Sequence, residues 1–178
     1  MANVQPSLRS AALLGALVCF AQLGCSSASA ATPEDKDLES LKHAVAGFHD
    51  LSKAQLAGYT VVVGDPADGH TCLSDPQAGG MGVHYLDKAL VDDTVIVTRP
   101  EIMIYEPQRD SSLKFVGVEY IIPYSIRGAD KAPPRLFGHA FSKNATFQLW
   151  GLHAWVGRSN PAGTFAMYNP DVTCKYAR

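Results

Sequence analysis

The sequence of 178 residues predicts an α+β fold, in which an N-terminal helix, or two short helices, precedes a curved and mostly antiparallel sheet of about six strands. Apolar residues follow helical spacing near the start of the chain, and later segments are rich in β-branched and aromatic residues. Since no helical segment separates those strands, antiparallel neighbours are favoured, and a barrel-like sheet is also compatible with the pattern. Hydrophobic residues make up 47% of the chain and charged residues 18%, which excludes a disordered polar chain.

The first thirty residues have the pattern of a secretory signal. Arg9 supplies a positive charge, residues 11–21 are apolar or glycine, and Ala28-Ser29-Ala30 has the composition of a cleavage site. Cleavage there would leave a single α+β domain of residues 31–178. Cleavage before Cys25 is the alternative, with a lipid anchor on that cysteine. In both cases we expect the protein to be secreted or periplasmic, and anchored to the envelope only in the second.

Two cysteines, Cys72 and Cys174, lie outside this leader. Export would place them in an oxidising compartment, where two lone cysteines are expected to pair. The bridge would close a loop of about 100 residues and stabilise the fold by roughly 4–5 kcal/mol in the chain-entropy model. Two buried free thiols are the alternative.

Several function classes are disfavoured by the sequence. The formal net charge is −2, and no dense cluster of lysine and arginine is present, so a nucleic-acid partner is not expected. No run of 18 apolar residues exists, which argues against a transmembrane helix. The motifs of serine hydrolases, zinc proteases, redox cysteine pairs and phosphate-binding loops are also missing from the sequence.

The predicted helix begins at Thr32, which can cap it, and Pro33 suits its first position. One apolar face follows at three- and four-residue spacing, formed by Leu38, Leu41, Val45 and Phe48. A short second helix is predicted with Ser52 as its cap and Gly58 after its end.

The remaining chain is predicted as strands, loops and turns. Residues 64–78 are polar and predict a loop, and residues 90–99 are a further candidate strand after an acidic start. Turns are expected at 108–110, 160–163 and 169–171. The strands are predicted over residues 59–63, 79–86, 101–106, 113–124, 136–141 and 145–156.

Three of these strands share a short pattern: Gly82-Val83-His84, Gly117-Val118-Glu119 and Gly151-Leu152-His153. Residues two apart in a strand share a face, so each ionisable side chain lies beside a glycine, which leaves space for it. Glu119 is predicted to share its face with Phe115, and both faces of its strand are apolar, so the carboxyl group is expected to be buried.

A buried carboxylate is costly unless it is paired or coordinated. Two imidazoles and one carboxylate on neighbouring strands match the ligands of zinc hydrolytic sites and of open non-haem iron sites. We therefore predict that His84, Glu119 and His153 converge as ligands of a divalent transition metal: zinc, iron or copper. Ligand-binding residues are predicted around them from the nearby imidazole and aromatic side chains, namely His139, Tyr85, Tyr120 and Trp155.

Three functions remain open at this point. The first is an exported envelope protein that binds a small ligand or a metal ion in this pocket. The second is a metal-dependent or acid–base enzyme that uses the same residues. The third is a structural or interaction protein in which the three side chains form a buried hydrogen-bond network.

Short segments of the chain carry a resemblance to other proteins. They are Gly80-Met81-Gly82-Val83-His84-Tyr85, Val116-Gly117-Val118-Glu119-Tyr120, Leu152-His153-Ala154-Trp155 and Asn160-Pro161-Ala162-Gly163, followed by Asn169-Pro170 and Cys174. On these segments, residues 79–174 resemble a family of exported bacterial proteins of unknown function. The resemblance implies export, and it implies no particular activity.

Overall fold

The structure is a computed structural model that describes residues 1–2 and 31–177. The predicted secretory signal, its two cleavage sites and the lipid anchor at Cys25 lie outside the described residues. The described residues from Ala31 onward form one compact unit. Among the described residues, no helix is long and apolar enough to cross a membrane.

The chain begins with helix α1 (Pro33–Val45), a 3-10 turn (Ala46–His49) and helix α2 (Leu51–Leu56). Thr32 caps α1 as predicted: its hydroxyl accepts a bond from the Asp35 amide, and the Asp35 carboxylate accepts one from the Thr32 amide. The predicted cap of the second helix is wrong. Asp50 caps α2 by accepting from the Ser52 amide, because α2 begins one residue before Ser52.

The described residues form nine strands: β1 (Val61–Val63), β2 (Cys72–Asp75), β3 (Gly79–Leu86), β4 (Ile102–Pro107), β5 (Leu113–Pro123), β6 (Arg135–Leu136), β7 (His139–Ala140), β8 (Ser142–Asn144) and β9 (Leu149–Ala154). Every paired neighbour is antiparallel. The main sheet has the order β1-β3-β4-β5-β9-β8, with β2 beside β1 along the same edge of β3. The α+β prediction is therefore confirmed, and the sheet is open rather than closed into a barrel.

Several segments differ from the prediction, two of them for local physical reasons. The polar stretch 64–78 contains β2, a four-residue edge strand. Its buried and exposed side chains do not alternate, so the sequence shows no strand pattern there. The predicted strand 136–141 is a tight hairpin of β6 and β7, because Phe137 and Gly138 both have positive φ angles, 52° and 75°. Residues 91–99 form no regular strand.

The two faces of the main sheet have different coverings. The helices cover one face, where Leu41 and Val45 of α1 pack with a cluster that includes Tyr105, Phe115 and Tyr120. The other face carries a smaller apolar cluster: Ile102, Ile104, Val116, Ile121, Trp155 and Val172. The C-terminal segment reaches this face, and it is joined to β2 by the predicted disulfide Cys72–Cys174.

Candidate metal centre

The smaller cluster surrounds three buried ionisable side chains, one from each of three strands: His84 of β3, Glu119 of β5 and His153 of β9. Glu119 lies directly opposite His153 in the ladder between β5 and β9. His84 reaches the pair across β4, where it lies opposite Ile104. The predicted convergence of the three side chains on one face is therefore confirmed, and we call them the triad.

The separations within the triad are wider than direct hydrogen bonds, and the two that involve His84 Nε2 have the length expected between two ligands of one ion. His84 Nε2 lies 3.5 Å from His153 Nε2 and 3.5 Å from Glu119 Oε2. His153 faces Glu119 with its other ring nitrogen, Nδ1, which lies 3.9 Å from Glu119 Oε1. An N–H···O bond measures about 2.7–3.2 Å. By contrast, two ligands at about 2.0–2.2 Å from a tetrahedral ion are about 3.3–3.6 Å apart.

Burial holds all three groups toward their neutral forms. It lowers the pKa of His84 to about 4, against a smaller opposing effect of the Gly82 carbonyl. It lowers the pKa of His153 to about 3, with help from the neighbouring His84. The pKa of Glu119 rises to about 8, first through burial and then through the nearby carboxyl group of Glu101. Neutral imidazoles are the form that binds metals, and only Glu119 must release a proton to do so.

The three patterned glycines have two different roles. A Cβ at Gly151 would lie 2.7 Å from Glu119 Oε1, so this glycine makes space for the carboxylate of the neighbouring strand and not, as the sequence predicts, for His153 of its own strand. At Gly82 and Gly117 a Cβ would meet main-chain oxygens, those of Tyr105 and Ala154, each at 2.7 Å. Those two glycines therefore allow the backbones of neighbouring segments to lie close together, and they leave no room for a side chain.

Two contacts orient the histidines. His84 Nδ1 lies 3.1 Å from the Gly82 carbonyl oxygen, which leaves Nε2 for the centre of the triad. The ring of His153 stacks on Trp155 with 5.9 Å between centroids and 14° between planes. The indole N–H of Trp155 donates to the Ala166 carbonyl, which fixes that ring. Both histidines are thus held by groups outside the triad.

A cavity of about 200 Å³ opens beside the triad, and His84 and Glu119 form part of its wall. Its other lining residues are Val63, Leu73, Met81, Leu86, Ile102, Ile121, Asn144, Phe147 and Leu149. A larger cavity of about 670 Å³ lies elsewhere and is lined by Arg109, Asp110, Lys114 and their neighbours, with no member of the triad. The triad and the smaller apolar cavity together form the candidate site.

The structure brings none of the four predicted ligand-binding residues to the wall of this cavity. His139 is exposed on β7, where its Nε2 lies 3.5 Å from Glu34 Oε2 and its ring contacts Phe165 at a tilt of 34°. Tyr120 belongs to the helix-covered cluster and donates to the Val97 carbonyl. Tyr85 packs on Tyr105 of that same side. Trp155 contacts His153 but does not line the cavity.

Sequence reasoning missed two residues of the site, Met81 and Glu101. Met81 lines the cavity with His84, although the two are three positions apart and a regular strand would place them on opposite faces. Opposite β2, Met81 is an extra residue of β3, and Gly82 beside it has a φ of 97°. This β-bulge turns Met81 to the site face, and the Gly80-Met81-Gly82 sequence was the available signal.

Glu101, the second missed residue, precedes β4 and is buried, with its Oε2 3.1 Å from the Ile121 amide that donates to it. Burial is the main cause that raises its pKa to about 7. Its charge opposes ionisation of Glu119. An acid at the first position of a strand is ordinary, so no sequence signal identified it.

The buried residues His84, Glu119 and His153 could hold a metal ion, since one ligand atom from each lies within 4.8 Å of the others. No protein-family model, no curated protein and no solved structure matches the chain. The resemblance to exported bacterial proteins thus stays a prediction, and the function has to be argued from the site.

Proposed function

We propose that this protein binds one divalent transition-metal ion through His84, Glu119 and His153, and that the ion is zinc, iron or copper. The spacing of the triad is the observation that carries the proposal. His84 Nε2 lies 3.5 Å from one atom of each partner, which is too long for a strong hydrogen bond and matches the separation of two ligands of one ion. One ligand atom from each of the three residues lies within 4.8 Å of the others.

A bound ion also accounts for the burial of these groups. Without it, a carboxyl group and two imidazoles lose their water and gain only weak mutual contacts. A hydrogen-bond network, the structural alternative, would require direct bonds among the three groups. With an ion, the carboxylate and both imidazoles are satisfied together.

Three protein ligands leave at least one coordination position for another molecule, as in catalytic rather than structural zinc sites. Apart from His84 and Glu119, the described residues that line the cavity carry no acid or base. This favours the binding of a metal and a small ligand over acid–base catalysis. The disulfide is compatible with the proposed secreted or periplasmic location, with or without an anchor at Cys25.

The test is metal titration of protein that was purified without an affinity-tag metal and stripped with chelator. We expect one zinc, iron(II) or copper(II) ion per chain by elemental analysis after dialysis. The variant Glu119→Gln should weaken binding by more than about a hundredfold, which exceeds the usual effect of groups that only support a ligand. His139→Gln removes an exposed histidine outside the triad and should leave the affinity unchanged.

The pH dependence of binding gives the same test a second arm. Because Glu119 must release its proton, the affinity should rise about tenfold per pH unit up to about pH 8. Glu119→Gln should lose this slope, while the histidines, neutral above about pH 4, add none. The proposal fails if no ion binds stoichiometrically, or if Glu119→Gln binds as well as the wild-type protein.

A further inference from the structure

We infer that the metal takes, as its exogenous ligand, a compact apolar molecule with one anionic donor atom, such as an aromatic carboxylate. The inference rests on the proposed metal site and adds the class of ligand that the site accepts. Three features support it: the walls of the cavity beside the triad, its volume and the charge of the centre.

The walls of the cavity are almost entirely apolar. Eight of its eleven lining residues are aliphatic, methionine or phenylalanine, and the polar ones are His84, Glu119 and Asn144. Two of those three are the proposed metal ligands, so the cavity has one coordinating end and an apolar remainder. Asn144 Oδ1 already accepts from the Phe147 amide at 3.1 Å. Such a site favours a molecule with a donor at one end and an apolar body.

The volume limits the size of that body. The cavity measures about 200 Å³. An apolar cavity of about 150 Å³ accommodates benzene, so one ring with a small substituent fits here. A second cavity of about 300 Å³ shares Leu73, Met81, Asn144 and Phe147 with the first and also contains Asp65 and Lys143. This polar neighbour offers a route from solvent to the apolar cavity.

Charge determines the kind of donor. A divalent ion with two neutral imidazoles and one carboxylate carries a net charge of +1 at a buried site, and the nearby Glu101 carboxyl group lies outside the cavity wall. Uncompensated charge is costly in apolar surroundings, and a monoanionic donor removes it. A carboxylate or a phenolate attached to an apolar body therefore suits the centre, whereas a cation does not.

The experiment compares benzoate with acetate, which present the same carboxylate with and without an aromatic ring. Protein loaded with cobalt(II) reports ligand binding through its visible absorption bands. We expect benzoate to bind at least roughly tenfold more tightly than acetate, because its ring leaves water for an apolar cavity. Binding should require the metal, and each titration is repeated on metal-free protein.

Two filling variants and a matched control locate the ring. Leu149→Phe and Val63→Phe each add volume at the cavity wall, and Val63 lies on a short edge strand that tolerates change better. Both should lose the preference for benzoate and keep cobalt and acetate binding. Val62→Phe is the control, because Val62 is exposed and does not line this cavity.

The outcomes separate the inference from the proposed metal site. Absence of cobalt bands means that the metal site has failed, and the inference fails with it. Cobalt bands that respond equally to benzoate and acetate overturn the inference alone. The inference is also overturned if the filling variants that still bind cobalt keep the preference for benzoate over acetate. Loss of the preference in a folded, cobalt-binding filling variant, with the Val62 control unchanged, supports it.

Discussion

Glu106 and Glu119 are both buried glutamates on adjacent strands, and their surroundings are opposite. Glu106 Oε2 accepts from Arg158 Nη1 at 2.5 Å and from Gln108 Nε2 at 3.2 Å, and its Oε1 accepts from the Thr173 amide at 3.0 Å. Glu119 has two neutral imidazoles at 3.5 and 3.9 Å as its nitrogen partners. One carboxylate is fully matched by protein donors, and the other is not.

This difference separates a structural region from a functional one. Glu106 with Arg158 and Thr173, together with the disulfide Cys72–Cys174, ties the C-terminal segment to the sheet, and we call this group the C-terminal clasp. The clasp satisfies its polar atoms within the protein. In the triad, the Glu119 carboxyl group has no such donor among the described residues, and a group of this kind beside a cavity is typical of a binding site.

The largest expected effect comes from opening the clasp. Replacing both cysteines, Cys72→Ser with Cys174→Ser, removes a bridge across 102 residues. In the chain-entropy model this lowers the free energy of unfolding by about 4–5 kcal/mol, measured by urea denaturation. Metal affinity of the folded variant should stay within about twofold. A joint loss of metal binding, with the variant folded, would show that the two regions are not independent.

Glu106→Gln tests the ion pair of the clasp directly. We expect it to lower the free energy of unfolding by about 3 kcal/mol, because Arg158 keeps its charge and loses its partner. This is the low end for a buried pair, since the Arg158 side chain is 32% exposed. Glu119→Gln should show no comparable loss in the metal-free protein. If both variants lose stability equally, the distinction between the two glutamates is wrong.

The pH dependence of metal-free stability is the third test. Glu101 and Glu119 have raised pKa values, about 7 and about 8, so they lower stability as pH rises from 4.5 toward those values. His84 and His153 have lowered pKa values, about 4 and about 3, so they raise stability up to about pH 6.5. The opposing effects offset each other between about pH 4.5 and 6.5. Above that range only the acids act.

We therefore expect metal-free protein to lose about 2 kcal/mol of stability between pH 6.5 and 8, measured by denaturant unfolding at each pH. The free energy of unfolding of Glu119→Gln should fall by less than that of the wild-type protein over the same pH range. Saturating zinc should reverse the trend, because the ion favours the ionised carboxylate. A flat profile in metal-free protein would mean that Glu119 is already matched by a donor.

Much of the fold could be predicted because local and long-range preferences agree. The Thr32 cap and the apolar strand 79–86 follow the residue pattern closely. The edge strand β2 could not be predicted from its own residues. It forms because its backbone pairs with β3, a contact between segments that are separate in the sequence pattern. The prediction that Phe115 shares a face with Glu119 is wrong. A β-bulge in the pairing of β4 with β5 interrupts the alternation of side chains, so Phe115 lies on the helix-covered side and Val116 on the triad side.

The triad itself could be predicted because its residues lie in regular segments, with Glu119 directly opposite His153. The cavity was less accessible to sequence reasoning. Tyr85 and Tyr120 are each adjacent to a triad residue, and adjacency in a strand places them on the opposite face. Met81 reaches the cavity only through a bulge, which depends on backbone angles that the sequence alone leaves open.

The smallest expected effect tests the glycine that gives Glu119 its space. In Gly151→Ala the new Cβ would lie 2.7 Å from Glu119 Oε1 and 3.3 Å from Leu149 Cδ1, so the carboxylate must shift by several tenths of an ångström. Metal geometry tolerates about 0.2 Å, so we expect the affinity for zinc to fall about tenfold, measured by competition with a chelator. Gly47→Ala is the control, because nothing lies within 4 Å of its added Cβ, and it should bind zinc like the wild-type protein. If Gly151→Ala also binds zinc unchanged, Glu119 has freedom to move, and the triad is not held in the geometry on which the metal site depends.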